Sequence, residues 1–231
     1  MLETERQSAD EVRSSIERGL RDPGVFRAAL MRVRASERDA WLDRALGLGA
    51  LPEDGPDLPP GCVPYLPSPV DVLLRMVDQT PIRSSDTFVD VGAGTGRAAA
   101  FVHLLTGASV VGLEVQRSLA GVARELAARL AIPHMAAVEG DAAQLAGQMV
   151  IGTVFFLYCP FSGHRLEKVL ADLEPIARTR TIHVCAVDLP LPACSWLTLQ
   201  SALSGDLAIY RSNLLDPGDR RDPASTREAV C

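Results

Sequence analysis

Hydrophobic and polar positions change period along this chain, and the change near residue 70 separates two regions. Residues 1–48 carry apolar side chains at helical spacing. Three helices are predicted there: one from about Asp10 to Leu20, one beginning at Asp22 with Pro23 in its first turn, and one beginning near Ser36, with Asp39 three residues later. We expect this helical N-terminal extension to be a brace packed on the main domain. A substrate-capping or dimerisation element is the alternative.

Residues 49–69 contain seven of the sixteen prolines, which predicts an extended linker. Beyond it, Ser68 and Pro69 open a helix, and short apolar runs then alternate with amphipathic ones. The apolar runs predict strands at 87–91, 109–113, 135–138, 153–158 and 182–187, and the segments between them predict helices near 95–106, 118–131, 142–148 and 164–178. Such alternation predicts an α/β domain with a mainly parallel sheet and helices on both faces.

The last apolar segments, 195–200 and 207–211, predict an antiparallel C-terminal hairpin, with Ser204, Gly205 and Asp206 between them. Residues 216–231 are polar and contain proline, so a frayed tail is expected. The predicted organisation is therefore an extension at 1–48, a linker at 49–69, one α/β domain at 70–215 and a tail at 216–231.

Composition narrows the class of protein. Apolar residues make up 47% and charged residues 23% of the chain, which is typical of a globular domain. A net charge of -6 argues against broad binding of nucleic acid or anionic membranes. We find neither a transmembrane run nor a signal peptide. The five cysteines form no CxxC pair, so we expect no disulfide, no metal site and a cytoplasmic location.

The candidate chemistry begins with VDVGAGTGR at 89–97, which leaves a β-branched strand and enters a helix. Gly92, Gly94 and Gly96 permit a tight turn that a ligand can approach without meeting a Cβ atom. Acidic residues follow at the ends of three successive predicted strands: Asp90, Glu114 and Asp141. Open α/β sheets bind ligands at this edge, and a carboxylate after the second strand is suited to ribose hydroxyls. The spacing therefore predicts a nucleoside site.

This constellation resembles the class I S-adenosylmethionine-dependent methyltransferases over about residues 62–190. The resemblance implies a Rossmann-like fold and S-adenosylmethionine as cofactor. It also implies that Asp90 supports the methionine moiety, that Glu114 binds ribose and that Asp141 binds adenine. The residues predicted to contact the cofactor are Asp90, Gly92, Ala93, Gly94, Thr95, Gly96, Glu114, Val115, Asp141 and Ala142.

Nicotinamide binding is the nearest rival. The dinucleotide pattern GxGxxG places its third glycine where this chain has Arg97. S-adenosylmethionine has no phosphate and carries a positive sulfonium. An acid before the loop is therefore better suited to this ligand than to a dinucleotide with a negative pyrophosphate. The sequence therefore favours the methyltransferase reading over a dehydrogenase.

The acceptor side is predicted to follow the fourth strand. There the run Tyr158, Cys159, Pro160, Phe161 resembles the Pro-aromatic half of the Asp/Asn-Pro-Pro-Tyr/Phe motif of many N-methyltransferases, with a cysteine in the Asp/Asn position. Tyr65 belongs to the run YLPSP, which resembles a stretch that lies across the cofactor in some protein-lysine methyltransferases; a rigid proline linker is an equal alternative. His164 and Asp188 are the candidate bases, although a structural or solvent-facing role is the favoured interpretation of each.

The predicted function is methyl transfer to an unidentified acceptor, with an amine on a protein or small molecule preferred. The alternative is a non-catalytic S-adenosylmethionine-binding or interaction protein that keeps the fold. No dedicated base is required, because in-line placement of the acceptor supplies much of the barrier reduction. Neither nucleic acid nor a membrane is expected as a partner.

Overall fold

The computed structural model describes residues 1–50, 52–55, 58–201 and 206–213. Its centre is a sheet of seven strands in the order β3-β2-β1-β4-β5-β7-β6. The strands are β1 (Thr87–Val91), β2 (Ser109–Glu114), β3 (Met135–Glu139), β4 (Val154–Tyr158), β5 (His183–Val187), β6 (Leu197–Leu199) and β7 (Leu207–Ser212). Strands β1 to β5 pair in parallel, whereas β7 is antiparallel to both β5 and β6. The predicted mainly parallel sheet and C-terminal hairpin are confirmed; Ser204, Gly205 and the predicted tail lie outside the described residues.

Helices cover both faces of this sheet, as the alternating pattern predicted. They are α1 (Glu3–Glu17), α2 (Pro23–Met31), α3 (Arg38–Leu46), α4 (Val70–Gln79), α5 (Arg97–Thr106), α6 (Arg117–Arg129), α7 (Ala142–Leu145) and α8 (His164–Ala177). Successive strand residues point to opposite faces, so Phe88 and Phe156 enter the core beneath α4, α5 and α6. Val89 and Phe155 enter the core beneath α7 and α8.

The N-terminal helices share the first of these cores. Phe26 of α2 lies 5.9 Å from Trp41 of α3 and 6.1 Å from Phe101 of α5, measured between ring centroids. Trp41 is fully buried. Because α2 and α3 bury their apolar faces against α5, the helix that follows the glycine motif is held from outside as well as by the sheet. Within the described residues, no helix is long and apolar enough to cross a membrane.

Two predicted helix starts are wrong in position. The first helix begins at Glu3 rather than Asp10, because the Glu5 carboxylate accepts a hydrogen bond from the Leu2 N–H at 2.7 Å and caps the chain earlier. Ser36 and Asp39 do not form a cap. A 3₁₀ turn occupies Ala35–Glu37, and the Asp39 carboxylate instead accepts from the Val70 N–H at 3.0 Å. By contrast, Asp22 caps α2 as predicted, accepting from the Val25 N–H at 2.8 Å.

Candidate functional site

The strand order reverses direction at β1, which lies between β2 and β4. In open α/β sheets, ligands bind in the crevice outside the carboxyl ends of the strands at such a point. A cavity lies there, beneath the extended segment 58–66, which we call the strap. Its lining includes most of the residues that the sequence singled out: Tyr65, Asp90, Gly92, Ala93, Glu114, Val115, Asp141, Ala142, Tyr158, Cys159, Pro160 and Phe161. Gly94, Thr95, Gly96 and His164 do not line it.

The glycine loop turns as predicted, but its open faces meet protein. Gly92 and Gly94 have φ angles of +89° and +55°, which side chains with a Cβ rarely adopt. A Cβ on Gly94 would lie 2.0 Å from the Tyr65 ring, and one on Gly92 would lie 2.6 Å from the Pro160 Cβ. At these two positions the space that the missing Cβ leaves is taken by the Tyr65 ring and by Pro160, and contact of the loop backbone with a ligand stays a prediction. The missing Cβ atoms leave room for the strap at Gly94 and for the loop after β4 at Gly92.

Glu114 ends β2 with both carboxylate oxygens hydrogen-bonded to backbone. Oε2 accepts from the Gly94 N–H at 2.7 Å, and Oε1 accepts from the Gln116 N–H at 2.7 Å. Burial raises the pKa of Glu114, while these backbone donors oppose the rise. A carboxylate has about four acceptor sites. Glu114 therefore keeps acceptor capacity toward the cavity that it lines.

Asp90, near the carboxyl end of β1, is in a different situation. Its side chain is buried, with 3% of the residue exposed, and lines the cavity. Its carboxylate accepts no hydrogen bond from residues 1–50, 52–55, 58–201 or 206–213. Burial, and then the neighbouring charge of Glu114, raise the pKa of Asp90 to about 7. Asp90 is thus a buried acid that lacks a partner among the described residues.

Asp141, after β3, is already paired. Its two carboxylate oxygens accept from Nη1 of Arg165 at 2.8 and 2.7 Å, and Oδ1 also accepts from the Ala143 N–H at 3.0 Å. Arg165 lies in the first turn of α8, and its Nε donates to the Pro60 carbonyl at 2.9 Å. Sequence reasoning missed Arg165, since nothing in the pattern of α8 shows that it faces the strand tips.

Arg97, which excluded the dinucleotide pattern, begins α5 and is 3% exposed. Its guanidinium donates to Asp43 at 2.5 Å and Asp39 at 2.9 Å on α3, and to the Ser68 carbonyl at 2.5 Å. A buried charge requires such partners. These ion pairs could have been found in the sequence from an arginine before an apolar helix, together with two acids four residues apart on another helix.

The strap is held from both sides of the cavity. On one side, the Asp54 carboxylate accepts from the Tyr65 N–H at 2.9 Å and from the Gln116 side chain at 2.8 Å. On the other side, Val63 donates its N–H to the Pro160 carbonyl at 3.1 Å. The Tyr65 hydroxyl shares a hydrogen bond of 2.9 Å with Thr95. Tyr65 therefore lies across the glycine loop, at the cavity wall.

The predicted acceptor residues divide between cavity and surface. Tyr158 and Cys159 line the cavity, and burial raises the pKa of the Cys159 thiol, so a thiolate is disfavoured there. Asp188 follows β5 and is exposed. The His164 side chain is 94% exposed, 3.6 Å from Glu167. His164 is thus outside the cavity that its assigned role requires.

No known sequence family model and no curated protein sequence matches the chain. Solved structures do match. One is an RNA methyltransferase from Salinibacter ruber in complex with S-adenosyl-L-homocysteine, at 22% identity and a TM-score of 0.51, covering 67% of this chain and 98% of that one. Another is yhhF from Escherichia coli, named as a methyltransferase, at 21% identity and a TM-score of 0.54, covering 71% and 92%.

A third match is MtNAS in complex with MTA and tNA, at 11% identity and a TM-score of 0.52, which covers 92% of this chain and 70% of that one. At these low identities, the TM-scores above 0.5 show a common fold and no more than that. The chain has the Rossmann-like α/β fold of the class I methyltransferases.

Proposed function

We propose that this chain is an S-adenosylmethionine-dependent methyltransferase. The observation that carries the proposal is the partnerless buried carboxylate of Asp90, which lines a cavity at the topological switch point beside Glu114. A buried anion without a partner is costly in a folded protein. A ligand that brings positive charge to this position removes that cost.

The residues of the cavity fit an adenosyl cation. Glu114 has acceptor sites left for ribose hydroxyls, and Asp90 offers an anion to positive charge on the methionine side. At the tip of β3, Asp141 is held by Arg165, so adenine recognition would rest on its remaining acceptor site and on the adjacent Ala142. These are the residues that we propose hold the cofactor. The glycine loop contributes its tight turn and the contact with Tyr65.

When bound, S-adenosylmethionine supplies a methyl carbon that an acceptor lone pair attacks, while the sulfur keeps the electrons of the broken C–S bond. In our proposal Tyr158, Cys159 and Pro160 line the acceptor side and hold the acceptor in line. The strap above them excludes water. Asp188 and His164 are both exposed and neither lines the cavity, so the proposal assigns the role of a dedicated base to neither of them.

An amine on a small molecule or protein is the acceptor class that we propose. The charged side chains that raise the pKa of Tyr158, after burial and Cys159, are all acids: Asp188, Asp206 and Asp39. With a net charge of -6, these acids favour a cationic acceptor over a polyanion. We therefore do not carry over the RNA named for the Salinibacter ruber protein. A cytoplasmic location is part of the proposal and rests on cysteine usage.

The test combines binding with transfer. Calorimetry should detect S-adenosylmethionine binding to the purified chain, and methyl-labelled S-adenosylmethionine with undialysed cell extract should label a protein or a small amine. Glu114→Ala is the matched negative control, since it removes the proposed ribose acceptor. Binding without labelled product across protein, amine and nucleic-acid pools would support the non-catalytic alternative. Absence of binding would reject the proposed function.

A further inference from the structure

A groove lies between α1 and α2, on the N-terminal helices. Ile16, Phe26 and Leu104 form its buried lining, each with at most 4% of its surface exposed. Leu20 and Val25 also line it, with 64% and 67% of their surface exposed, and they are the two most exposed large apolar residues in the part of the chain that the structure describes. Adjacent exposed apolar side chains indicate an interaction surface.

Two side chains of this groove carry opposite charges and make no ion pair with residues 1–50, 52–55, 58–201 or 206–213. The Glu11 carboxylate, on α1, accepts only a hydrogen bond from the Gln7 side-chain amide, at 2.9 Å. Arg32, directly after α2, is exposed and has no side-chain partner in these ranges. It is exceptional, since the other eight arginines of residues 1–48 each contact an acid or a backbone carbonyl.

The other two charged residues of the groove serve their own chain. Nη2 of Arg21 donates to the Leu130 carbonyl at 3.0 Å, which joins the turn after α1 to the end of α6. The Asp22 carboxylate caps α2. Glu11 and Arg32 are therefore the charges that a partner would meet, one of each sign beside exposed apolar side chains.

We propose that this groove binds the same groove of a second copy of the chain, and that the protein is a homodimer with a two-fold axis along the groove. An interface of this symmetry uses one surface twice, so the surface must be complementary to itself. A groove with one unpaired acid and one unpaired arginine meets that condition, whereas a polyanion or a polycation would meet a like charge. The proposal gives residues 1–48 the dimerisation role that their sequence leaves open.

The two-fold axis brings opposite charges together. Helix α1 runs toward the turn at residues 18–22 and α2 runs away from it, so Glu11 and Arg32 lie at one end of the groove, and Leu20 and Val25 lie at the other. Rotation about an axis along the groove places α1 of one copy against α2 of the other. Glu11 then faces Arg32 of the partner subunit on each side of the axis, and the exposed apolar side chains pack together at the turn.

The proposed interface is separate from the cavity and independent of the proposed function. Leu104, in the last turn of α5, lines the groove, whereas Arg97 and Ala98, in the first turn, line the cavity. About 10 Å of helix separates these two groups of residues. We therefore expect dimer formation and cofactor binding to succeed or fail separately.

The oligomeric state of the purified full chain is the first test. Analytical ultracentrifugation at micromolar concentrations should give twice the mass of one chain. Val25→Glu places a charge in the apolar part of the interface, so it should raise the dimer dissociation constant at least about 100-fold. Val25 is exposed, and a glutamate in the first turn of α2 favours the helix, so the fold should be retained. Val150→Glu is the matched control, at a valine that is 59% exposed between α7 and β4, and should leave the dimer intact.

Charge reversal tests the pairing across the axis. Arg32→Glu and Glu11→Arg should each raise the dimer dissociation constant about tenfold, because two attractive contacts become repulsive. When the two variants are mixed, the heterodimer again contains two attractive pairs, and its dissociation constant should return to within about threefold of that of the unaltered chain. Pairing within one chain could not produce this recovery on mixing.

Four results would overturn the proposal: a mass of one chain at every concentration, a Val25→Glu chain that dimerises as the unaltered chain does, equal dissociation in Val150→Glu, or a mixture of the charge variants that associates no more tightly than either alone. A monomer that binds a different protein through this groove would also reject the second copy as its occupant. Circular dichroism of each variant checks that loss of the dimer is not unfolding, and calorimetry with S-adenosylmethionine on the same samples tests the proposed function separately.

Discussion

Two regions of the cavity wall each contain a buried charged residue, and they differ in whether that residue has hydrogen-bond partners. At the start of α5, Arg97 is buried and engages two carboxylates and a carbonyl. At the end of β1, Asp90 is equally buried and has no partner among the described residues. The first arrangement joins the glycine-loop helix to the N-terminal helices. No hydrogen bond or ion pair among the described residues uses the second carboxylate, and this difference is why we propose a structural role for Arg97 and a ligand role for Asp90.

The largest expected effect on stability comes from removing Arg97, the buried charge that has partners. Arg97→Met should lower the free energy of unfolding by about 2–3 kcal/mol, because it removes the buried cation that joins α5 to the Ser68 carbonyl and to the partly solvated carboxylates of Asp39 and Asp43. Denaturant unfolding measures the change. Arg124→Met, which removes an exposed ion pair with Glu139 on the surface of α6, is the control and should cost less than about 1 kcal/mol. Equal losses in the two variants would contradict the structural role of Arg97.

At Asp90, by contrast, we expect a substitution to raise the free energy of unfolding. Its pKa is about 7 in the folded chain against an ordinary value of 3.8, so the folded state binds more protons between these values. Stability due to Asp90 is therefore present below about pH 4 and is lost as pH rises toward 7. Asp90→Asn escapes this loss, and we expect it to match the unaltered chain at pH 4 and to exceed it by a few kcal/mol at pH 8.

Urea unfolding at several pH values measures the difference between Asp90→Asn and the unaltered chain. A constant difference would show that Asp90 does not titrate in this range, and a less stable variant at pH 8 would show that its carboxylate has a partner.

The fold was predictable to the extent that local signals are strong. The β-branched strand TFVDV and the Asp22–Pro23 start of α2 lie where the pattern places them. Prediction failed where a distant residue decides the outcome. Asp39 reads as part of a helix cap, but it serves Arg97 and the Val70 N–H instead. No local period carries that information.

The candidate site, too, was predictable from local signals and unpredictable where distant residues decide. Strand ends and glycines bring Asp90, Glu114 and Asp141 to one edge, because parallel strands share a direction. Sequence alone does not say which acids are satisfied, since the donors come from residues 94, 116 and 165. Nor does it show that Tyr65 fills the space above Gly94. The sequence thus predicts where these acids lie, and the structure adds which of them have hydrogen-bond partners.

Glu114→Ala tests the satisfied acid as a ligand group. Loss of a charge-assisted contact to ribose should weaken S-adenosylmethionine binding by roughly 1.5–3 kcal/mol. It should also free the N–H groups of Gly94 and Gln116, so unfolding is measured alongside. Glu125→Ala, exposed on α6, is the control for binding. Unchanged affinity in calorimetry would reject the ribose role.

The smallest effect is expected at Arg165, which connects the strap to the tip of β3. Its half-buried guanidinium holds both oxygens of Asp141 and the Pro60 carbonyl, so Arg165→Met should reduce S-adenosylmethionine affinity by about 1 kcal/mol through a less ordered strap. Lys168→Met, which removes the neighbouring pair with Asp172 on the same helix, should change affinity by less than half as much. If Asp141 were the main adenine acceptor and Arg165 only competed for it, Arg165→Met would bind more tightly, so the sign of the change decides whether Arg165 orders the nucleoside end or obstructs it.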